Sequence, residues 1–357
     1  MIEKLIDWYE RNKRNLPWRD TRDPYKIWVS EIILQQTRVE QGRGYYLKFL
    51  ERFPDVKTLA EATQEEVLML WQGLGYYSRA RNMHAAAMQV MQSYGGDFPD
   101  NYQELLKLKG IGPYTAAAVA SFAFNKPHPA IDGNVNRVIS RLFLVEQPVN
   151  SRQGQKVIND IAVQLIPHHD PATYNQAMME FGALQCVPSK PVCPSCPLKD
   201  NCLAFREKKV DTLPVKVKSK VPRPRYLNYL VVEDGHSGKI MLTKRENQKD
   251  IWYNLYEFPV IESATPLEAE KLVALQEFKQ WIPGNEYKLQ AQVIKKKHQL
   301  SHQTIHAYFW RITAKDKEAE NTGKQKPAGF VENLHNYPLP RLISSFAEEN
   351  LENFQKE

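Results

Sequence analysis

The sequence predicts a mainly helical N-terminal domain followed by a smaller α+β domain. As far as about residue 205, apolar residues recur every three or four positions, which is the period of an amphipathic helix. Beyond about residue 226 they tend to alternate with polar residues, which is the period of a strand. A basic stretch with several prolines separates these regions. The length of 357 residues also suits two domains.

The predicted elements follow from these periods. Residues 206–225 contain eight basic residues against two acids, which indicates a solvated linker between domains 1–205 and 226–357. Helices are predicted at residues 2–15, 26–36, 38–52, 64–71, 76–94, 101–107, 113–124, 134–144, 151–166 and 172–186, and again at about 266–281 and 340–352. Strands are predicted at residues 226–232, 239–244, 289–296 and 304–312.

Composition and charge limit the class of protein. Hydrophobic residues make up 42% and charged residues 25%, which is typical of a globular chain and not of a disordered one. The longest apolar run, residues 116–124, is far shorter than the roughly 20 residues of a membrane-spanning helix. Residues 1–8 lack the apolar segment of a secretory signal, so we expect a cytoplasmic protein. The formal charge of +7 favours a polyanionic partner.

All four cysteines lie in one short segment, at Cys186, Cys193, Cys196 and Cys202. Clustered thiols in a chain without a secretory signal indicate a metal site and not a disulfide framework. Zinc sites usually contain two C-x2-C pairs, and here only Cys193 and Cys196 form one. The spacing therefore favours a [4Fe–4S] cluster, with zinc as the alternative. We expect the cluster to brace the fold and not to carry out redox chemistry.

A glycine turn and two acids are the candidates for chemistry. Gly110 and Gly112, separated by Ile111, allow a sharp turn that presents free amides to an anion at the start of the next helix. Asp132 also precedes a predicted helix, where an aspartate is ordinarily an N-cap. Glu31 lies in a strongly apolar helical segment. Burial there would raise its pKa and keep it protonated, whereas on the polar face it would be an ordinary surface glutamate.

Four motifs in this order resemble the endonuclease III-like helix–hairpin–helix DNA glycosylases. They are residues 30–37, residues 73–77, the glycine turn together with residues 132–135, and the cysteine spacing. Within that superfamily the chain resembles the MutY-type adenine DNA glycosylases. The resemblance covers residues 1–205 and implies a helix–hairpin–helix domain that extrudes a nucleotide from the duplex and removes its base.

The resemblance also implies roles for individual residues. Glu31 would protonate adenine, Asp132 would stay ionised and stabilise the sugar cation, and Asn134 would fix the geometry around Asp132. Tyr114 stands where relatives that also cut the strand carry a Schiff-base lysine. Because a phenol cannot form an imine, we expect base removal without strand cleavage. The backbone of Gly110, Ile111 and Gly112 would bind a phosphate.

Further roles concern the DNA strands and the base. The resemblance assigns strand contact or intercalation to Gln36, Leu74 and Tyr76, and the adenine pocket to Trp18, Arg19 and Gln176. By composition alone, Trp18 and Tyr76 are core residues and Arg19 is a surface charge.

The second domain resembles a Nudix fold that recognises 8-oxoguanine opposite the adenine. Its helix at residues 266–273 lacks the glycine-led Arg-Glu and Glu-Glu array that binds metal in Nudix hydrolases. We therefore interpret this domain as a binding module and not as a second active site. The recognition loop of the family, Phe-Ser-His, corresponds here to Leu300, Ser301 and His302. On sequence alone, His302 is equally an ordinary strand-end histidine.

The leading hypothesis is a monomeric, monofunctional glycosylase that removes adenine opposite 8-oxoguanine or guanine in duplex DNA. It would be a cytoplasmic enzyme of bacterial type, associated with the nucleoid through DNA. One alternative is a bifunctional glycosylase and lyase for oxidised pyrimidines, which would also cut the strand. Another is a non-catalytic damage sensor, which would bind without turnover.

Overall fold

The structure, a computed structural model, describes residues 1–217, 221–283, 286–314 and 327–351. These residues divide into two compact units. The first contains the described residues of Met1–Ala62 and Arg81–Lys218, and the second contains those of Thr63–Ala80 and Ser219–Glu357. No helix in the described part is long and apolar enough to cross a membrane.

The region before residue 207 is helical, as the sequence predicts. In chain order the helices are α1 (Ile2–Asn12), α2 (Pro24–Leu34), α3 (Val39–Arg52), α4 (Val56–Glu61), α5 (Gln64–Leu70), α6 (Ser78–Tyr94), α7 (Tyr102–Leu105), α8 (Pro113–Phe124), α9 (Gly133–Leu142), α10 (Arg152–Leu165), α11 (Pro171–Leu184) and α12 (Leu203–Arg206). Each predicted segment of this region overlaps one of them. The sequence does not predict α4 and α12, which have six and four residues.

Helices α2, α8, α9 and α11, at the centre of the first unit, position the candidate site. Helix α8 packs against α2 and α11, and α11 also packs against α1 and α9. Both α2 and α8 are buried on nearly every face, since almost all of their side chains are apolar or small. Aspartates cap the starts of α2, α9 and α11 by accepting backbone N–H groups. Among their polar side chains, Ser30 and Glu31 of α2, Thr115 and Ser121 of α8 and Glu180 of α11 are buried.

The second unit contains a mixed sheet built around two long strands. The strands are β1 (Arg223–Asp234), β2 (Ile240–Lys244), β3 (Tyr256–Glu257), β4 (Val260–Ser263), β5 (Tyr287–Leu289), β6 (Ile294–Gln299), β7 (Gln303–Ala314) and β8 (Pro327–Val331). Strand β1 runs parallel to β7 along its whole length and pairs antiparallel with β2 and β4. Strand β7 pairs antiparallel with β5 and β6, and β2 with β3 and β8. Helices α13 (Ala269–Ala274), α14 (Gln276–Trp281) and α15 (Arg341–Asn350) complete this unit.

Several elements of this unit differ from the prediction. The strand predicted at residues 289–296 is two strands, β5 and β6, and the helix predicted at about 266–281 is broken at Leu275, whose backbone is extended. The sequence does not predict β3, β4 and β8. These strands have two to five residues each, which is too few for a clear alternation.

The domain boundaries also differ from the predicted ones. Residues 63–80 pack within the second unit, where Glu65 accepts hydrogen bonds from Lys244 and Tyr256. The predicted linker is not a free linker in its first half, because Arg141 donates to the Leu213 carbonyl and residues up to 217 stay with the first unit. Its last residues, 223–225, already belong to β1. Contacts distant in the sequence decide these boundaries.

Gly182 shows how tightly α11 packs on the start of α9. A Cβ atom at this position would lie 2.6 Å from the Cβ of Asn134 and 2.9 Å from the Asn134 carbonyl oxygen. We predict that Gly182→Ala destabilises the protein by about 1–3 kcal/mol, because the backbone beside it must move. Gly44→Ala is the control: Gly44 is exposed within α3 with open space around it, and alanine there stabilises the helix by about 0.5–1 kcal/mol. Denaturant unfolding of both variants checks this, and equal stability of Gly182→Ala and the parent would contradict it.

Candidate active site

Glu31 lies inside the first unit and not on its surface. Only 6% of the residue is exposed, and burial is the main reason that the pKa of Glu31 rises to about 7. The hydrogen bond from Tyr114 and the Arg19 cation oppose this rise in pKa, whereas the Asp132 carboxylate adds to it. The interpretation as a surface glutamate is therefore wrong.

Tyr114 connects α8 to this carboxyl group. Its hydroxyl donates a hydrogen bond to Glu31 Oε2 at 2.5 Å. Pro113 and the preceding glycine turn set the start of α8, so Tyr114 stands in the first turn of the helix. Burial, followed by the charges of Glu31 and Asp132, raises the pKa of the phenol well above its ordinary value. Tyr114 therefore remains a hydrogen-bond donor at any physiological pH.

Asp132 is the N-cap of α9, and its charge also acts on Glu31. Its Oδ1 accepts the Val135 N–H at 2.7 Å, and its Oδ2 accepts Nδ2 of Asn134 at 2.8 Å. Burial raises the pKa of Asp132, and these donors together with Arg137 oppose the rise. Asp132 has two donors from its own helix, whereas Glu31 accepts from the Tyr114 hydroxyl. Of the two carboxyl groups, Asp132 is thus better stabilised as an anion.

Arg137 and Arg141 link α9 to the cysteine segment. Arg137 Nη2 donates to Asn134 Oδ1 at 2.8 Å, and its Nε donates to the Cys186 carbonyl at 2.7 Å. One turn later, Arg141 donates to the Val187 carbonyl at 2.8 Å. Asn134, which donates to Asp132, is therefore itself bound by Arg137, and Arg137 also binds the backbone of Cys186.

The glycine turn has the backbone that an anion site needs. Gly110 has a φ of +77°, and a Cβ there would lie 2.6 Å from the Cβ of Asn82, so the position requires glycine. The Ile111 amide, however, donates to the Leu108 carbonyl at 3.1 Å, and the Ile111 side chain is buried. Within the described part of the chain, the amides of Gly110 and Gly112 have no partner. These two amides are free to bind a phosphate, and Ile111 anchors the turn.

The three predicted pocket residues have different environments. Arg19 and Gln176 line a cavity of about 370 Å³. Trp18 does not line it and is buried, with its ring 5.3 Å from that of Tyr46 in an edge-on arrangement. Gln176 accepts a hydrogen bond from the Tyr9 hydroxyl at 2.7 Å, and Arg19 donates twice to Glu180. Arg19 is therefore an ordered part of the cavity wall and not a free surface charge.

The four cysteines line one small cavity, of about 30 Å³, together with Arg141 and Phe181. All four thiols are free and partly buried. Among the described residues, no three His, Cys, Asp or Glu side chains converge closely enough to hold a single metal ion. The four cysteines therefore line one cavity, but their side chains do not converge on a single metal position.

The predicted strand-contact and recognition residues lie at turns. Gln36 follows α2 with a φ of +59° and an exposed side chain. In the second unit, Leu300, Ser301 and His302 form the turn between β6 and β7, and Ser301 and His302 are exposed.

Tyr76 is 53% exposed in the second unit, with a φ of +47°, so it is not a core residue. Its hydroxyl lies 3.0 Å from the Ser301 hydroxyl, which joins a predicted strand-contact residue to the predicted recognition turn. Leu74, in contrast, is only 8% exposed, so its side chain does not project for intercalation.

Sequence reasoning missed Glu180 and the two arginines of α9. Glu180 is the lone charged residue of α11, a pattern that also marks Glu31 as the lone acid of α2. That shared signal could have identified Glu180. Arg137 and Arg141 lie four residues apart on a helix with a strong polar face, and nothing in the sequence separates them from ordinary surface arginines.

The raised pKa of Glu31 makes folding stability depend on pH. The folded protein binds this proton more tightly than the unfolded chain, so the resulting stability is complete below pH 4.5 and is lost as the pH rises to about 7. Each pH unit is worth about 1.4 kcal/mol. We predict that the free energy of unfolding of Glu31→Gln, measured by denaturant unfolding, rises relative to that of the parent by on the order of 3 kcal/mol between pH 4.5 and about 7. The matched control is Glu61→Gln, an exposed glutamate. A difference from the parent that does not change with pH would contradict the prediction.

Comparison with protein families confirms the predicted fold class. Residues 29–168 match the HhH-GPD superfamily of base excision DNA repair proteins, and residues 228–349 match the NUDIX domain. A solved thermostable thymine-DNA glycosylase is 30% identical, covers 58% of this chain and 95% of its own, and superposes with a TM-score of 0.54. Endonuclease III, in a trapped covalent intermediate with DNA, shares the fold at 24% identity and a TM-score of 0.51, and covers 58% of this chain and 94% of its own.

Relatives match along most of the chain. The adenine DNA glycosylase of Buchnera aphidicola subsp. Baizongia pistaciae is 34% identical over 328 residues, which cover 90% of this chain and 89% of the relative. The adenine DNA glycosylase of Arabidopsis thaliana is 37% identical over 295 residues, which cover 72% of this chain and 46% of the relative. These matches confirm the predicted resemblance: the chain belongs to the adenine DNA glycosylase family within the HhH-GPD superfamily of base excision DNA repair proteins.

Proposed function

We propose that this chain hydrolyses the N-glycosidic bond of adenine paired with 8-oxoguanine or guanine in duplex DNA and leaves the strand intact. One observation carries the proposal: the charge of Asp132 acts on Glu31, and Glu31 is buried and easily protonated whereas Asp132 is capped by donors. Enzymes that cleave glycosidic bonds generally use two carboxyl groups, one protonated and one ionised.

Each carboxyl group has a separate part in the reaction. Glu31, protonated up to a pH of about 7, donates its proton to a ring nitrogen of adenine. The bond between the sugar carbon and adenine then breaks, and its electron pair leaves with the neutral base. The anion of Asp132 stabilises the positive charge that develops on the sugar. A water molecule adds to the sugar carbon and returns a proton to Glu31.

Tyr114 supports base removal without strand cleavage. Its hydroxyl is committed to Glu31, and a phenol has no nitrogen with which to form an imine. The enzyme therefore releases adenine and leaves an abasic site. A lyase for oxidised pyrimidines would need an amine at this position, and a non-catalytic sensor would have no use for a buried acid.

Two features support a role in DNA binding. The free amides of Gly110 and Gly112 lie at the start of α8, where the helix dipole also favours a phosphate. Gln36 and Tyr76 are exposed at turns with left-handed backbones, as expected of side chains that enter the duplex where the base has left the stack. The protein acts on duplex DNA as a monomer.

The second unit serves as the reader of 8-oxoguanine. The exposed turn at residues 300–302 presents a hydroxyl and an imidazole, which can bind the polar edge of a damaged purine. Leu300 offers less stacking surface than the phenylalanine of the family. Because the chain lacks the Nudix metal-binding array at residues 266–273, this unit binds and does not hydrolyse.

The cysteine segment suits a [4Fe–4S] cluster, as is usual for this fold. Four thiolates around one cavity are the donor set of such a cluster. Zinc sites usually contain two C-x2-C pairs, and this segment contains one, at Cys193 and Cys196, which favours the cluster. When bound, the cluster supplies a rigid cross-link between the four cysteines. Iron and sulfide analysis of the purified protein separates a cluster from zinc.

The proposed reaction predicts alkali-dependent breaks at adenine. On a duplex with adenine opposite 8-oxoguanine, we expect the parent to release adenine and the strand to break only after alkali treatment. Glu31→Gln should lower the single-turnover rate by about 10²–10⁴-fold, because it removes the acid, and Asp132→Asn should also lower it strongly. Strand breaks without alkali would favour the lyase, and binding without base release by the parent would favour the sensor.

The role of the second unit predicts a change in preference. We expect Ser301→Ala and His302→Ala to reduce the ratio of excision rates for adenine opposite 8-oxoguanine and opposite guanine. Losing one hydrogen bond to the damaged base is worth about 1 kcal/mol, or roughly fivefold in that ratio. His236→Ala is the matched control, since His236 is exposed in another turn of the same unit. Unchanged ratios in both loop variants would remove the recognition role from this turn.

A further inference from the structure

Glu180 is a buried carboxylate with an unusually complete set of donors. It is 1% exposed and is the lone charged residue of α11. Its Oε1 accepts the backbone N–H and Nε of Arg14, both at 2.9 Å, and Nη1 of Arg19 at 3.1 Å. Its Oε2 accepts Nη2 of Arg14 at 2.7 Å and Nη2 of Arg19 at 2.6 Å. Two guanidinium groups are thus held by one carboxylate, each through both oxygens.

This carboxylate lies behind the wall of the cavity that contains Arg19 and Gln176. Arg14 and Arg19 both line the cavity, whereas Glu180 does not. Gln176 precedes Glu180 by one helical turn, so both project from the same side of α11. Arg19 also donates to the Arg14 carbonyl and lies 5.8 Å from the centre of the Tyr9 ring. In the described part of the chain, its Nε–H has no partner.

The charges connect Glu180 to the proposed acid. Burial raises the pKa of Glu180, but the hydrogen bonds from Arg14 and Arg19 outweigh it and lower the pKa to about 2. Glu180 is therefore ionised at any physiological pH and partly balances two cations. Arg19 in turn favours the ionised form of Glu31, opposite to the effects of burial and of Asp132. The groups that act on Glu31 are Tyr114, Asp132 and Arg19, and those that act on Glu180 are Arg14 and Arg19.

We propose that Glu180 is a positioning residue of the base-binding site: it holds Arg14 and Arg19 in the cavity wall and balances the charge with which Arg19 acts on Glu31. This inference rests on the proposed function. Glu180 touches neither base nor sugar and acts through the two arginines.

The test is the pH dependence of single-turnover adenine release from a duplex with adenine opposite 8-oxoguanine. In the parent, the rate falls as the pH rises past the pKa of Glu31, at about 7. In Glu180→Gln, the Arg19 cation acts on Glu31 without its counter-charge, so we expect this fall at a pH lower by about one unit. An unmoved fall, or one at higher pH, would overturn the proposal.

Two further variants separate charge from position. Glu180→Asp keeps the charge but is one carbon shorter, so we expect slower release at every pH with the fall at the parental pH. A parental rate in this variant would overturn the positioning role, even if Glu180→Gln failed to fold. In Glu180→Gln combined with Arg19→Gln, the fall should occur where it does in Arg19→Gln alone, because Glu180 acts through Arg19. If the rate of the double variant fell at a different pH from that of Arg19→Gln alone, an action of Glu180 through Arg19 would be contradicted.

The control is Glu257→Gln. Glu257 is a buried glutamate of the second unit, 2% exposed and paired with Arg245, so it reports the general cost of breaking a buried ion pair. Its pH profile should match that of the parent, and a shift like that of Glu180→Gln would overturn the proposal. If the parent itself released no adenine, the proposed function would fail. If the parent is active and Glu180→Gln leaves the profile unchanged, the role of Glu180 alone fails.

Discussion

A buried carboxyl group must either find donors or give up its charge, and this constraint organises the first unit. Glu31, Asp132 and Glu180 all lie on or at the starts of helices that pack together at its centre. Glu180 accepts five hydrogen bonds from two arginines and stays ionised. Glu31 accepts one from a phenol, so burial outweighs this bond and favours the protonated form. The number and charge of the donors, and not burial alone, decide which group is an acid and which an anion.

Helix α9 links the Asp132 carboxyl group to the cysteine segment through hydrogen bonds. Asp132 caps the helix, Asn134 binds the cap, and Arg137 binds both Asn134 and the Cys186 carbonyl. Arg141 adds a hydrogen bond to the Val187 carbonyl in the next turn. A continuous chain of hydrogen bonds therefore connects the Asp132 carboxyl group to the backbone of the cysteine segment. A metal cluster that fixes this segment would stabilise the active arrangement at a distance.

The sequence predicts the elements better than it predicts their environments. The helical period identified α1 to α3 and α5 to α11, because each is long enough to repeat an apolar pattern or to follow a clear turn. The boundary at residues 63–80 could not be predicted, since the hydrogen bonds of Glu65 to Lys244 and Tyr256 join positions about 180 residues apart in the chain. The buried position of Leu74 and the occupied amide of Ile111 depend on tertiary packing, which local patterns do not report. Glu180 is the exception, because a lone acid in an apolar helix was visible in the sequence.

The proposed reaction requires a protonated Glu31 and an ionised Asp132 at the same time. Carbon-13 NMR of labelled carboxyl groups, assigned by comparison with Glu31→Gln and Asp132→Asn, measures both titrations in the DNA-free protein. We predict that Asp132 loses its proton first and that Glu31 titrates last, at about pH 7. A Glu31 signal that titrates before Asp132, or near its ordinary value of 4.5, would contradict it.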